Sequence, residues 1–375
     1  MTVFLFITLF FGYIYEDTDS LLVDNDTLTI CGNHQYLHKV HLKNHGDLSV
    51  RATAGAPDST GWLALDAPLI VIVDSSSING SERGYRGAYL NSHPWGYGPG
   101  GGNAGGVSGG GGGGGAYGGD GGVGGDLYGG TGGTAYGDSA DTLIEMGSGG
   151  GAGRLSAVDG TGGSGGAAIS LRGNIIEMDS SSIIADGQTG SNGSVEAGGG
   201  GAGGGIIIWA DTVSMHSCSM SANGGDGGNT IGYGGGGGAG GGRIKILFSS
   251  SLDTVDMVYS VQGGAAGLGD TNLPVSSAGN TGSIYIGAFT GFAELAKEHI
   301  AMLNLAPNPV RSTLKISIKM APARARIYDC AGRVKKEFWL RNRHESLNLS
   351  ELPQGIYFLK IDTSPLEPNK IVIIE

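Results

Sequence analysis

Ile169-Ser170-Leu171, Ile207-Ile208-Trp209, Ile244-Lys245-Ile246 and Ile284-Tyr285-Ile286 follow one another at spacings of 38, 37 and 40 residues. After the first comes Met178-Asp179-Ser180-Ser181-Ser182-Ile183-Ile184-Ala185-Asp186-Gly187. After the second, offset by 37, comes Met215-His216-Ser217-Cys218-Ser219-Met220-Ser221-Ala222-Asn223-Gly224. Upstream, Asp74-Ser75-Ser76-Ser77-Ile78 repeats Asp179–Ile183 residue for residue. Self-similarity at such a period marks stacked repeats rather than a linker. Each unit reads as a strand of β-branched residues, a short polar turn, a second strand with Ser/apolar alternation, an Asn/Asp-Gly step and a glycine-rich excursion. Val40–Leu42, Leu48–Val50, Leu63–Leu65 and Leu69–Val73 supply earlier strands. Two strands this short cannot bury a core alone, so the units must stack. The pattern predicts an all-β chain: a glycine-rich parallel β-helix-like solenoid over residues 20–290, carrying polyglycine excursions.

The chain has 77 glycines. The excursions Gly187–Gly205, Gly224–Gly242 and Gly263–Gly282 fall at the same place in each unit, and the longest runs from Gly96 to Gly166. Polyglycine can take a left-handed threefold helix like polyproline II, with its N–H and C=O groups pointing outward. Without Cβ atoms, such helices can lie side by side. Disorder is the competing reading, because ordering glycine costs more backbone entropy than ordering any other residue. In composition this region resembles the glycine-rich regions of bacterial surface proteins and of the extracellular part of the anaplastic lymphoma kinase receptor.

The last seventy or so residues change character. Leu314–Ile318, Ala325–Tyr328 and Ile356–Ile361 alternate apolar and polar residues, as half-buried strands do. Asp329-Cys330-Ala331-Gly332 has the composition of a hairpin turn, with Gly332 suited to positive φ. Pro307 and Pro309 fix an extended lead-in. Short strands with regular turn signals predict a small C-terminal β-sandwich over residues 305–375, joined by a connector at 291–304. Four motifs stand in order: Ala306-Pro307-Asn308-Pro309, Ile327–Arg333, Leu352–Ile361 and Lys370–Glu375. Together they resemble the type A C-terminal sorting domain of the type IX secretion system of Bacteroidota and related bacteria. The resemblance implies export through the periplasm to the cell surface or beyond, with the type IX machinery as partner. The positions that carry it are Pro307, Asn308, Pro309, Tyr328, Asp329, Gly332, Arg333, Gly355 and Tyr357. Glu375 departs from the basic residue with which such domains often end.

Residues 3–14 form an apolar run too short to span a membrane comfortably. Residues 1–15 therefore read as a signal peptide, one without the usual basic residue ahead of its core. Residues 301–375 hold twelve Lys and Arg against seven Asp and Glu, while the whole chain is −12. The first 300 residues thus carry −17, and no lysine occurs between Lys43 and Lys245. So acidic a body argues against nucleic acid or an anionic membrane as partner. Cys31, Cys218 and Cys330 are odd in number and far apart, so isolated thiols are expected rather than a disulfide framework.

The chemical motifs are sparse. Gly-x-Gly-x-x-Gly occurs only inside glycine runs, without the strand and helix that dinucleotide binding needs, and Gly-Lys-Ser/Thr is absent. Gly121–Gly129 matches the calcium-binding nonapeptide once, whereas such sites are built in tandem. His34, His38, His41 and His45 would form a zinc-competent stripe on a helix, but the surrounding strand pattern scatters them. Asp74, Asp179, Asp186, Asp211 and Asp226 are the candidate acids of a β-helix polysaccharide-degrading enzyme. Arg154, Arg172 and Arg243 are the cations available to them, and none adjoins a paired-acid motif. Tyr89, Tyr97, Tyr117, Tyr128, Tyr136 and Tyr233 could stack on sugars or wedge between glycine helices. The reading is a secreted, non-enzymatic structural or adhesive surface protein without metal or cofactor. An extracellular carbohydrate-binding protein is the first alternative, with surface glycans or matrix as partners.

Overall fold

The computed structural model describes residues 12–52, 61–89, 93–106, 109–154, 160–270, 272–289, 303–306, 309–318, 323–329, 333–340, 344–361 and 369–374. Pro307, Asn308, Gly332 and Cys330 lie outside them, as do the first eleven residues of the expected signal. Every regular element among the described residues is a strand. The chain divides into two compact units, Met1–Phe289 and Thr290–Glu375.

In the first unit the described strands alternate between two sheets. The larger takes β1 (Tyr13–Glu16), β2 (Ser20–Asp24), β5 (Lys39–Lys43), β8 (Leu69–Ile72), β10 (Ala168–Asp179), β12 (Gly205–His216), β14 (Arg243–Val255) and β16 (Ser283–Ala288) in that order. On its flank β4 (Gly32–Gln35) pairs with β7 (Trp62–Asp66), which pairs with β10. The smaller runs β15 (Val258–Ser260), β13 (Ser219–Ser221), β11 (Ser182–Ile184), β9 (Ser77–Asn79), β6 (Asp47–Val50) and β3 (Thr27–Ile30). All these pairings are parallel except β1 on β2, which is antiparallel.

Register follows the repeat. Ile78, Ile183 and Met220 stand in one column of the smaller sheet, and Leu171, Ile208 and Ile246 in one column of the larger. All six are buried and share one core between the sheets. Each such side chain contributes roughly 1.5–3 kcal/mol on burial. One sequence alignment needs correcting. Ile206, not Ile207, stands beside Ile169, and Ile244 stands beside Ile206. A shift of one residue moves a side chain to the other face of a strand. Ile207 therefore faces outward, in one row with Ser170, Lys245 and Tyr285. The first strand is longer than its quoted triplet in the later repeats: β10 and β12 run on for twelve residues and β14 for thirteen before the polar turn. In the earlier repeats the strand is divided, as β4 and β5 and then as β7 and β8, where Pro68, which cannot donate to a ladder, sits at the break.

The corner between the sheets is left-handed in each repeat, and in two of them a second left-handed residue, His45 or Ser75, follows. Asn25, Asn44, Asp74, Ser180, Ser217 and Asp256 all take positive φ, between 50 and 58°. Small polar residues tolerate that left-handed region best. The ladder continues through the corner: Ser180 N donates to His216 O at 3.0 Å and Ser217 N to Val255 O at 2.9 Å.

The glycine excursions are ordered helices of threefold pitch, visible in where their amides point. Gly111 and Gly114 donate to Gly125 and Gly122, Gly112 and Gly115 to Ala197 and Gly200, and Gly113 and Ala116 to Asn103 and Gly100. The carbonyls of the same six residues accept from Gly130 and Gly133, from Gly237 and Gly240, and from Gly151 and Ser148. A period of three is that of polyproline II, which leaves every backbone group free for neighbours. Gly111–Ala116 is thus bonded to six surrounding segments. Segments 147–153, 197–204 and 234–242 sit in the same kind of environment. None of Gly111–Gly115 has positive φ, so glycine is required there for space. A Cβ on Gly113 would collide with Thr131 O, and one on Gly199 with Gly113 O.

The second unit pairs β17 (Leu303–Ala306), β18 (Thr313–Ile318) and β21 (His344–Asn348) in one antiparallel sheet. A second antiparallel sheet runs β20 (Val334–Leu340), β19 (Ala323–Asp329), β22 (Gly355–Ile361), β23 (Asn369–Ile373). Leu314, Ile316 and Leu347 from the first share a core with Ala325, Ile327, Leu359 and Ile371 from the second.

Candidate functional site

The second unit holds its motif residues in two clasps and a clip. In the hairpin between β19 and β20, the Asp329 carboxylate accepts from Arg333 N at 3.0 Å and from Arg333 Nε at 2.9 Å. Asp329 N in turn donates to Arg333 O. Tyr328 sits beside them on β19, paired with Val334 and Phe358. At the start of β22, next to Gly355, Tyr357 is buried and its hydroxyl donates to Pro353 O at 2.9 Å, closing the preceding turn. Pro309 leads into Val310, which is fully buried and bridges Ile373 on the last strand. Val310 N donates to Val372 O, and Ile374 N to Val310 O. The beginning and the end of the unit are thereby clipped together. Val310 was not singled out from the sequence, though an apolar residue directly after Pro-x-Pro is its signal.

In the first unit the candidate acids do not converge. Asp74 sits in a left-handed corner and Asp179 at the end of β10. Asp186 Oδ1 accepts Asn223 N from the next repeat at 2.6 Å, and Asn223 Oδ1 accepts Gln262 N from the one after at 2.8 Å. Asp211 bonds Ser249 Oγ, and Asp226 Oδ1 accepts Ala265 N at 2.7 Å. Each carboxylate joins neighbouring repeats or shapes a turn. Asp126 of the single nonapeptide accepts from Leu127 N.

The four histidines also lie apart, on β4 (His34), before β5 (His38), on β5 (His41) and in a corner (His45). Burial, and then Lys39 and Lys43 on the same strand, push His41 below the ordinary imidazole range. Among the described residues no three His, Cys, Asp or Glu side chains form a group that could hold a metal. Cys31 and Cys218 are free thiols.

The cations turn out to be fasteners. Lys245, which faces outward on β14, has a fully buried side chain. Its Nζ lies 2.7 Å from Asp138 O, 2.7 Å from Asp141 Oδ1, 2.6 Å from Leu143 O and 3.1 Å from Asp141 O. Burial outweighs Asp141 and lowers the pKa of the amine. Two residues earlier on the same strand, Arg243 donates to Ser283 Oγ, Tyr136 O and Gly137 O. Residues 136–146 are thus strapped over the outer face of the larger sheet. Tyr117 and Tyr136 fill the space beneath, 5.0 Å apart and packed on Ala202 and Ala239 of the glycine bundle. Arg172 lies over the Trp209 ring at 4.3 Å.

Of the six tyrosines, Tyr117 and Tyr136 are therefore wedges, whereas Tyr89, Tyr128 and Tyr233 are exposed. Tyr89 pairs through its backbone with His93, which belongs to an aromatic cluster. His93 stacks on Tyr97 at 3.8 Å and meets Trp95 edge-on, and Arg86 covers Tyr89 at 4.6 Å. Tyr89 is 53% and Trp95 48% exposed.

Residues 304–375 match the family model of the secretion system C-terminal sorting domain. No curated protein and no solved structure matches the chain. The sorting domain marks a protein exported by type IX secretion, via the periplasm, to the cell surface or extracellular space, and it is the part that the secretion machinery recognises.

Proposed function

We propose that the exported body is a non-enzymatic structural or adhesive element of the cell surface. In this reading it is a β-helix-like solenoid bearing a raft of polyglycine helices. The observation that carries it is the use made of the glycines. Four interior segments spend their amides and carbonyls on neighbouring helices, and at glycines such as Gly113, Gly199 and Gly236 an added methyl group would collide with a neighbouring backbone. Chemistry needs convergent acids and bases, yet Asp186, Asp211 and Asp226 each serve as a tie to the next repeat. Stiffness and a large invariant surface are what such a construction supplies. The apolar run at residues 3–14 is read as the inner-membrane export signal.

Protease shaving of intact native cells tests the reading. Peptides from residues 20–289 should be released, and a chain lacking residues 304–375 should stay in the periplasm. Protein found only inside cells with its tail intact would overturn it. The cluster of His93, Trp95 and Tyr97, with the exposed Tyr89 bridged to His93, favours a second role, stacking on the sugar rings of neutral glycans. Retention on insoluble polysaccharide should fall when Trp95→Ala is combined with Tyr89→Ala. Unchanged retention, or none by the native protein, would remove that role.

A further inference from the structure

Among the described residues the stack ends on an open edge. Ile284 and Ile286 of β16 continue the core columns of Ile244 and Ile246. The earlier members of both columns are fully buried, yet Ile284 is 44% and Ile286 45% exposed. No described strand pairs with the far side of β16. Its backbone groups there form a template for another strand. Proteins usually blunt such an edge with Lys, Pro or an inward charge. The sequence Ser283-Ile284-Tyr285-Ile286-Gly287-Ala288 has none of these. At the opposite end of the same sheet, Glu16, Asp17 and Asp19 place charge beside β2.

We propose that β16 pairs antiparallel with β16 of a second copy of this chain, about a twofold axis through Tyr285. The strand is self-complementary in that register. Ile284 of one copy stands opposite Ile286 of the other, and Ser283 opposite Gly287, so no charge meets a like charge. A twofold contact of this kind is isologous and closes on itself. The two Ile pairs lie on the core side of both sheets, so the apolar columns run on from one copy into the other. The outward face of the joint carries the two Tyr285 rings. The inference depends on the body alone and stands apart from the export reading.

The test uses the full chain. Analytical ultracentrifugation should show a dimer at micromolar concentration. Under mild oxidation, Tyr285→Cys should give a covalent dimer, because the introduced thiols face each other across the axis. Ser283→Cys and the unaltered chain, with its own cysteines, should not. Ile286→Lys should sediment as a monomer while keeping its β-sheet circular dichroism. A monomeric native chain would overturn the proposal. If the amides of residues 283–288 then proved protected from hydrogen exchange, the chain's own residues cover the edge. A dimer indifferent to Ile286→Lys, or one that Tyr285→Cys fails to cross-link, would overturn it equally.

Discussion

Gly199→Ala tests whether the glycine helices are packed as described. Gly199 donates to Gly151 O and accepts from Gly163 N, both at 2.9 Å. An added Cβ would strike Gly113 O and C and approach Gly114 N at 2.9 Å. Relief requires segment 111–116 to move away from segment 197–204. That motion breaks the bonds from Gly112 N to Ala197 O and from Gly115 N to Gly200 O. Two buried bonds left open cost ~2–6 kcal/mol, whereas absorbing the methyl as overpacking costs ~1–3 kcal/mol. The chain takes the cheaper mixture, about 3 kcal/mol. Against this, alanine restricts the unfolded chain and returns ~0.4–1 kcal/mol. The net loss is therefore about 2 kcal/mol, a fall in melting temperature of roughly 4–8 °C for a unit this large. Gly125→Ala is the control. Its Cβ would find its nearest atoms at 3.1–3.2 Å, which a shift of a few tenths of an ångström relieves. The assay is thermal unfolding of the full chain by circular dichroism and calorimetry, so that a separate transition of the second unit is recognised. If Gly199→Ala cost no more than Gly125→Ala, the excursions would be loose chain and the packing argument would fail.

Lys245→Met should release the strap at 136–146, since Asp138 O, Asp141 O and Leu143 O lose their donor. Asp141 is a third exposed and can rehydrate, so the cost is ~2–4 kcal/mol, toward the lower side of broken buried pairs. It should appear as fast hydrogen exchange and proteolysis confined to the strap, and global unfolding instead would contradict the assignment. Burial holds the phenols of Tyr85, Tyr117, Tyr136 and Tyr259 above their ordinary range. The folded state therefore keeps protons that the unfolded chain releases above about pH 10. Their stabilisation is complete below that pH and is lost as pH rises further, so tyrosinate absorbance from these residues should appear together with loss of the β signal, not before it. In the second unit, Tyr357→Phe removes the bond to Pro353 O and should cost ~1 kcal/mol. Asp329→Ala should cost no more than ~1 kcal/mol, because Arg333 is largely exposed. Both are read as shifts of the melting transition of that unit.

The repeat was legible because parallel stacking writes itself into sequence. Asp74–Ile78 and Asp179–Ile183 are identical since Ser75 and Ser180 both take the left-handed corner and Ile78 and Ile183 fill the same column. The sorting unit was legible because its motif residues close turns, as Asp329 does with Arg333. The alignment of Ile207 with Ile169 went astray for a definable reason. Ile206, Ile207 and Ile208 are all apolar, so alternation cannot say which of them faces the core when both faces are covered. The strap was invisible because Lys245 reads as an exposed strand residue. Its signal was its solitude as the first lysine after Lys43. In the bundle, no pattern could name the partners of Gly111–Ala116, since glycine has no side chain to mark one face from another.

That last point bears on how the bundle forms at all. Ordering a residue costs ~1–2 kcal/mol of backbone entropy, and glycine stands at the upper side. A buried amide bond returns ~0.5–1.5 kcal/mol net. An isolated glycine helix would gain little and choose no particular neighbour. The sheets resolve both difficulties. Ala185 and Ala222 leave the smaller sheet one register apart, Gly205 and Arg243 begin adjacent strands of the larger, and the segments between are held in parallel at both ends. The side-chain ties from Asn192 to Asn229 and from Asn229 to Leu268 keep that spacing further out. Hydrophobic columns thus set the register, the register sets which amides meet, and the glycine helices follow as a dependent layer rather than an independent fold.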